Sequence, residues 1–86
     1  MPEISRFFGI VIAIYYHDHS PPHFHAKYGD TEARIEIATG RVMSGKLPST
    51  PQRFVMEWLE MHRDELFDDW RLALHRKPLR PIEPLE

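Results

Sequence analysis

The chain has 86 residues, no cysteine and a formal charge of −2 with its histidines neutral. That length makes one small domain whose core has neither disulfide nor thiolate–metal staple to help it. The low net charge and a pI of about 6.3 exclude a strong general attraction to nucleic acid, although one basic face remains open. The longest apolar run, Phe7 to Tyr16, is too short to span a bilayer. No small-residue cleavage site follows it, as a signal peptide would require. The reading is a soluble, unprocessed protein with no membrane partner, and the missing cysteines favour a reducing, cytoplasmic setting.

Met1 to Arg6 reads as a lead-in. Residues 9–16 (Gly-Ile-Val-Ile-Ala-Ile-Tyr-Tyr) are rich in β-branched and aromatic residues and apolar at every position, which predicts a strand covered on both faces or paired on both edges. Ser20-Pro21-Pro22 breaks it, because two prolines remove two backbone donors and hold an extended corner. Residues 23–28 and 31–39 form a predicted hairpin closed by Gly29-Asp30, a good two-residue turn pair. Pairing Tyr28 with Thr31 places Ala26 opposite Ala33 and Phe24 opposite Ile35 on an apolar face. On the polar face Lys27 then meets Glu32, His25 meets Arg34 and His23 meets Glu36. A shorter strand follows over about 41–46.

Thr50 and Pro51 announce a helix, as N-cap and first helical residue. From Val55 through Trp58, Leu59, His62, Leu66, Trp70 and Leu74 one apolar stripe recurs at three- and four-residue spacing, which predicts a helix over about 51–75. It is too long for a seven-residue strand, so it either bends near His62-Arg63-Asp64 or packs its second half elsewhere. His62 on this stripe reads as a core histidine with a backbone or carboxylate partner. The tail, residues 78–86, carries three prolines and is expected to lie extended against the body. The fold class is α+β: an antiparallel meander of three to four strands with a long C-terminal helix packed on one face. An edge strand and the overlong stripe leave room for a homodimer.

Four of the six histidines, His17, His19, His23 and His25, lie within nine residues around the Pro-Pro corner. Residues two apart share a strand face. If Ser20-Pro21-Pro22 is a tight connection, His19 lies across from His23 and His17 across from His25. All four rings then project from one face, beside Glu36 and Arg34. Cross-strand Cβ atoms about 4.5–5.5 Å apart let two imidazoles reach one ion. Two or three histidines, with Glu36, Asp18 or water completing the shell, suit zinc, nickel, copper or iron. Asp18 points to the opposite face of a regular strand, unless the corner breaks the parity; from there it would orient a histidine. A metal-free reading makes His23, His25 and Asp18 the acid–base groups of a ribonuclease, with Arg34 or Lys27 steadying charge. Tyr15, Tyr16, Tyr28 and Phe24 would then stack bases.

Asp18-His19-Ser20-Pro21-Pro22-His23-Phe24-His25 is a specific signature. With Ile4-Ser5-Arg6-Phe7-Phe8-Gly9, Tyr28-Gly29, Gly45-Lys46-Leu47-Pro48, Trp58 to Leu66, Trp70 and Pro81 to Leu85, it resembles the small bacterial family called domain of unknown function 4160. The resemblance covers nearly the whole chain and implies no assigned activity. It implies a compact protein encoded beside another small domain, as in a toxin–antitoxin-like pair. It also picks out Asp18, His19, His23, His25 and His62 but not His17, which favours a three-histidine site, His19, His23 and His25, with Asp18 nearby. The leading expectation is an interaction module whose partner is a small protein encoded nearby. The alternatives are a zinc- or nickel-binding protein and the ribonuclease.

Overall fold

The computed structural model describes residues 2–86. Five strands, β1 (Glu3–Phe7), β2 (Ile10–Ala13), β3 (His23–Tyr28), β4 (Thr31–Glu36) and β5 (Val42–Gly45), precede one helix, α1 (Ser49–Leu74). The strands form a single antiparallel sheet in chain order. The fold is the expected α+β meander with a long C-terminal helix, but with five strands rather than three or four.

The extra strand comes from the lead-in. The strand expected over residues 9–16 shortens to β2: Phe8 (φ 50°) and Gly9 (φ 78°) form a tight turn, and β2 pairs back on β1, Phe7 opposite Ile10. The β3–β4 hairpin has the register expected from its alternation, from His23 opposite Glu36 to Tyr28 opposite Thr31. The fourth predicted strand shortens to β5. There Gly45 packs so closely on β4 that an added Cβ would sit 2.0 Å from the Glu32 carbonyl oxygen.

α1 begins at Ser49, one residue before the expected cap. Pro48 holds the cap position without a side-chain hydrogen bond, and its carbonyl accepts the Gln52 N–H at 3.0 Å. Pro51 therefore sits inside the first turn, where a missing N–H leaves no bond unmade. The helix bends at His62, whose φ of −127° and ψ of 22° are non-helical. Its first half buries Val55, Trp58 and Leu59 against Ile10, Ile12, Phe24 and Ile35. Trp58 is wholly buried and packs on Phe7 and Phe24. At the bend Arg63 donates from Nε to the Ile37 carbonyl at 2.9 Å, pinning the helix to the end of β4.

α1 ends with Arg76 N–H donating to Ala73 O and Lys77 N–H to Leu72 O. That bonding pattern normally places glycine in the left-handed position, which here is Arg76 (φ 57°). The tail runs extended as expected: Ile82 N–H donates to Ile4 O of β1, and Trp58 Nε1 donates to Glu83 O at 2.8 Å. Arg80 N–H donates to the buried Asp69 Oδ1 at 2.9 Å. Among the described residues no helix is long and apolar enough to cross a membrane.

Gly45→Ala meets both a backbone clash and a left-handed φ of 78°, so it should cost at least about 2 kcal/mol, read by urea unfolding. Asp69 tests the tail. Burial raises its carboxyl above the ordinary 3.8, the Arg80 N–H pulls it down, and Asp68 adds to the rise. A raised carboxyl stabilises the fold only while protonated. Its contribution is therefore full below about 3.8 and lost as pH rises through the raised value. Asp69→Asn keeps an acceptor for Arg80 N–H. It should exceed the native protein in stability at neutral pH and lack that slope in unfolding curves taken from acid to neutral pH.

Candidate metal centre

β2 ends at Ala13, which pairs with His25, so the link to β3 is the nine residues Ile14 to Pro22 rather than a three-residue corner. This link folds back over the polar face of β3. His17 takes a left-handed φ of 64°, a reversal that breaks strand parity and turns the Asp18 carboxylate toward the two strand histidines. Ser20–Pro21 is a cis peptide.

Asp18 Oδ2 lies 3.0 Å from His23 Nε2 and 3.0 Å from His25 Nε2, and Asp18 Oδ1 accepts the His19 N–H at 3.2 Å. One ligand atom from each of Asp18, His23 and His25 falls within 4.8 Å of the others. The outer nitrogens are also held: His23 Nδ1 is 2.8 Å from the Pro21 carbonyl oxygen, and His25 Nδ1 is 3.0 Å from Glu32 Oε2. The face is not solvated as the alternation suggests. His23 is 2 % and His25 7 % exposed, because Tyr15 stands edge-on to His25 at 4.3 Å and Trp70 covers His23 at 5.3 Å.

Proton positions follow from the partners. A carbonyl only accepts, so His23 carries its proton on Nδ1 and, when neutral, turns a lone pair at Asp18. His23 Nε2 accordingly has no hydrogen-bond partner despite its 3.0 Å approach. A neutral His25 has one proton for two carboxylates. Three acceptors thus face one another in a dry corner, and a cation among them, proton or metal ion, resolves the conflict. Burial works against ionisation of Asp18. The His25 hydrogen bond, the charges of His23 and His25 and the His19 N–H outweigh it and hold the carboxyl below its ordinary 3.8.

The other sequence candidates stay apart from this set. His19 is exposed and contributes its backbone N–H rather than its ring. His17 is exposed on the turn. Glu36 lies across from His23 in the ladder, but its carboxylate takes the Thr39 hydroxyl at 2.6 Å and Arg41 Nε at 3.5 Å. His62 packs on Trp58 and holds Glu65 through Nδ1 at 2.6 Å, the core histidine with a carboxylate partner that the stripe implied. Glu32 and Trp70 were missed as site residues. Glu32 is the diagonal neighbour of His25 across the hairpin, a relation the register already contained. Nothing local to Trp70 reports where the bend sends it.

The arrangement predicts that His23 Nδ1 keeps its proton, donated to the Pro21 carbonyl, in the metal-free protein. Long-range proton–nitrogen NMR correlations of the ring should show Nδ1 protonated, and in Asp18→Asn the side-chain amide should be able to donate to Nε2.

Comparison with curated proteins and comparison with solved structures each return no match. The family model described as Domain of unknown function (DUF4160) matches residues 9–71, a span containing β2 to β5, most of α1 and all three converging side chains. On that match, the chain belongs to the DUF4160 family.

Proposed function

We propose that the protein binds one divalent transition-metal ion through Asp18 Oδ2, His23 Nε2 and His25 Nε2. One observation carries the reading: both imidazoles are tethered at Nδ1, one to a carbonyl and one to a carboxylate, while both Nε2 atoms face the same oxygen. Metal-bound histidines are oriented in this way, the outer N–H held so that the inner lone pair is aimed. Two nitrogens and one oxygen, with no sulfur, suit zinc, nickel or iron(II). Each Nε2 lies 3.0 Å from Asp18 Oδ2, close enough for one ion with bonds of about 2.0–2.1 Å to reach the oxygen and the nitrogen together. The cysteine-free chain fits a cytoplasmic setting. A histidine-based ribonuclease draws no support from the geometry, since both rings are buried beneath Tyr15 and Trp70.

Calorimetric titration of zinc and nickel into tag-free protein tests this. Stoichiometric binding should disappear in the His23→Ala, His25→Ala double variant and survive His19→Ala. Glu32→Gln should weaken it about 10–100-fold. No binding by the native protein, or undiminished binding by the double variant, defeats the proposal.

A second reading, one half of a two-protein, toxin–antitoxin-like module, is favoured by the β1–β2 turn. Phe8 is 53 % exposed and packs tilted on Phe54 at 4.9 Å, over whose ring Arg53 lies. An aromatic pair beside an arginine is the make-up of a protein-binding hot spot. Purification from a host carrying the native operon should recover a small partner encoded nearby, and Phe8→Ser should release it. A homodimer in sedimentation, with no such partner, would replace this reading.

A further inference from the structure

The end of α1 and the tail carry a charge pattern that the histidine corner does not use. From Trp70 to Ile82 the chain has Arg71, His75, Arg76, Lys77 and Arg80 and no acid, although its total charge is −2. Arg71, Leu72, His75, Lys77 and Arg80, with Asp68, line a cleft of about 430 Å³, within the range of small-ligand sites of roughly 300–1,000 Å³.

Helix physics accounts for part of this charge. Arg71 pairs with Asp68, and Arg71 and His75 stand at the negative end of the helix dipole, which favours cations. That effect fades beyond the last turn, where Lys77 and Arg80 lie. Both are exposed, and among the described residues neither side chain forms a direct ion pair or hydrogen bond, although the Arg80 charge acts on the buried Asp69 carboxylate. Arg76, between His75 and Lys77 in the chain, is a further cation of this segment and takes the left-handed position at the helix end (φ 57°), where glycine would be unstrained.

We propose that this cleft binds the phosphate group of a nucleotide-sized phosphorylated small molecule. Lys77 and Arg80 hold the phosphate, Arg71 and His75 close its rim, and Leu72 offers an apolar wall to the rest of the ligand. A dianion with several acceptor oxygens matches arginine and lysine donors that line one cleft, whereas a single carboxylate would satisfy fewer of them. The site does not depend on metal at the histidine corner.

The test uses the full chain kept metal-free with a chelator, titrated with a nucleoside monophosphate and with the matching nucleoside. The monophosphate should bind and the nucleoside should not. Lys77→Gln with Arg80→Gln should weaken binding at least tenfold while the protein still unfolds cooperatively, and Lys77→Gln alone should weaken it with no change in thermal unfolding, since that side chain is exposed. Arg76→Gly should raise the unfolding midpoint by a few degrees while weakening binding less than the double variant does. Absence of binding, equal binding of the nucleoside, or full affinity in the double variant would overturn the proposal. So would binding of short RNA that grows with length and ignores a terminal phosphate, which would make the patch a nucleic-acid backbone surface.

Discussion

The bend at His62 is the constraint on which both the core and the candidate site depend. A straight helix of 26 residues would run about 39 Å, beyond the 33 Å longest dimension of the molecule. Breaking the helix at His62 lets its two halves do different work. The first half lies across the sheet with Trp58 at its centre, and the tail closes over it through the indole N–H. The second half turns toward the start of β3, where Trp70 covers His23. Without the bend the histidine corner would lose the Trp70 half of its roof.

That roof changes the chemistry of the corner. An exposed carboxylate with two exposed imidazoles would be an ordinary solvated cluster with little mutual influence. Under Tyr15 and Trp70 the same groups lose water, and their contacts must be settled by protons or by a cation. The Pro21 carbonyl and Glu32 hold the outer nitrogens, so the rings cannot turn away from the conflict. The link from β2 then adds Asp18 from above. Three elements far apart in the chain meet here: the Ile14–Pro22 link, the first residues of β3 and the last turns of α1.

The helix end meets the same region from the other side, where the Tyr16 hydroxyl donates to Lys77 O at 3.0 Å. The link carrying Asp18 is thereby tied to the segment carrying the unpaired cations. In a protein of low net charge, this hydrogen bond links the corner proposed to hold a cation with the cleft proposed to hold an anion.

Much of this was legible in the sequence because it is local. Alternation in His23–Tyr28 and Thr31–Glu36, with Gly29-Asp30 between them, sets the hairpin register, since a one-residue slip would turn Phe24 and Ile35 to water. The spacing of Val55, Trp58, Leu66 and Trp70 defines a helix, and its length alone requires a bend. The placing of His23 and His25 on one face follows from strand period. What the sequence could not supply is the path of the connection between β2 and β3. Read as a tight corner it gathers four histidines; folded as a nine-residue link it sends His17 and His19 to solvent and brings Asp18 in. Local rules give the direction of a side chain only while the backbone is periodic. Beyond Ala13 it is not, and the contact with Trp70, remote in sequence, helps decide which residues form the site.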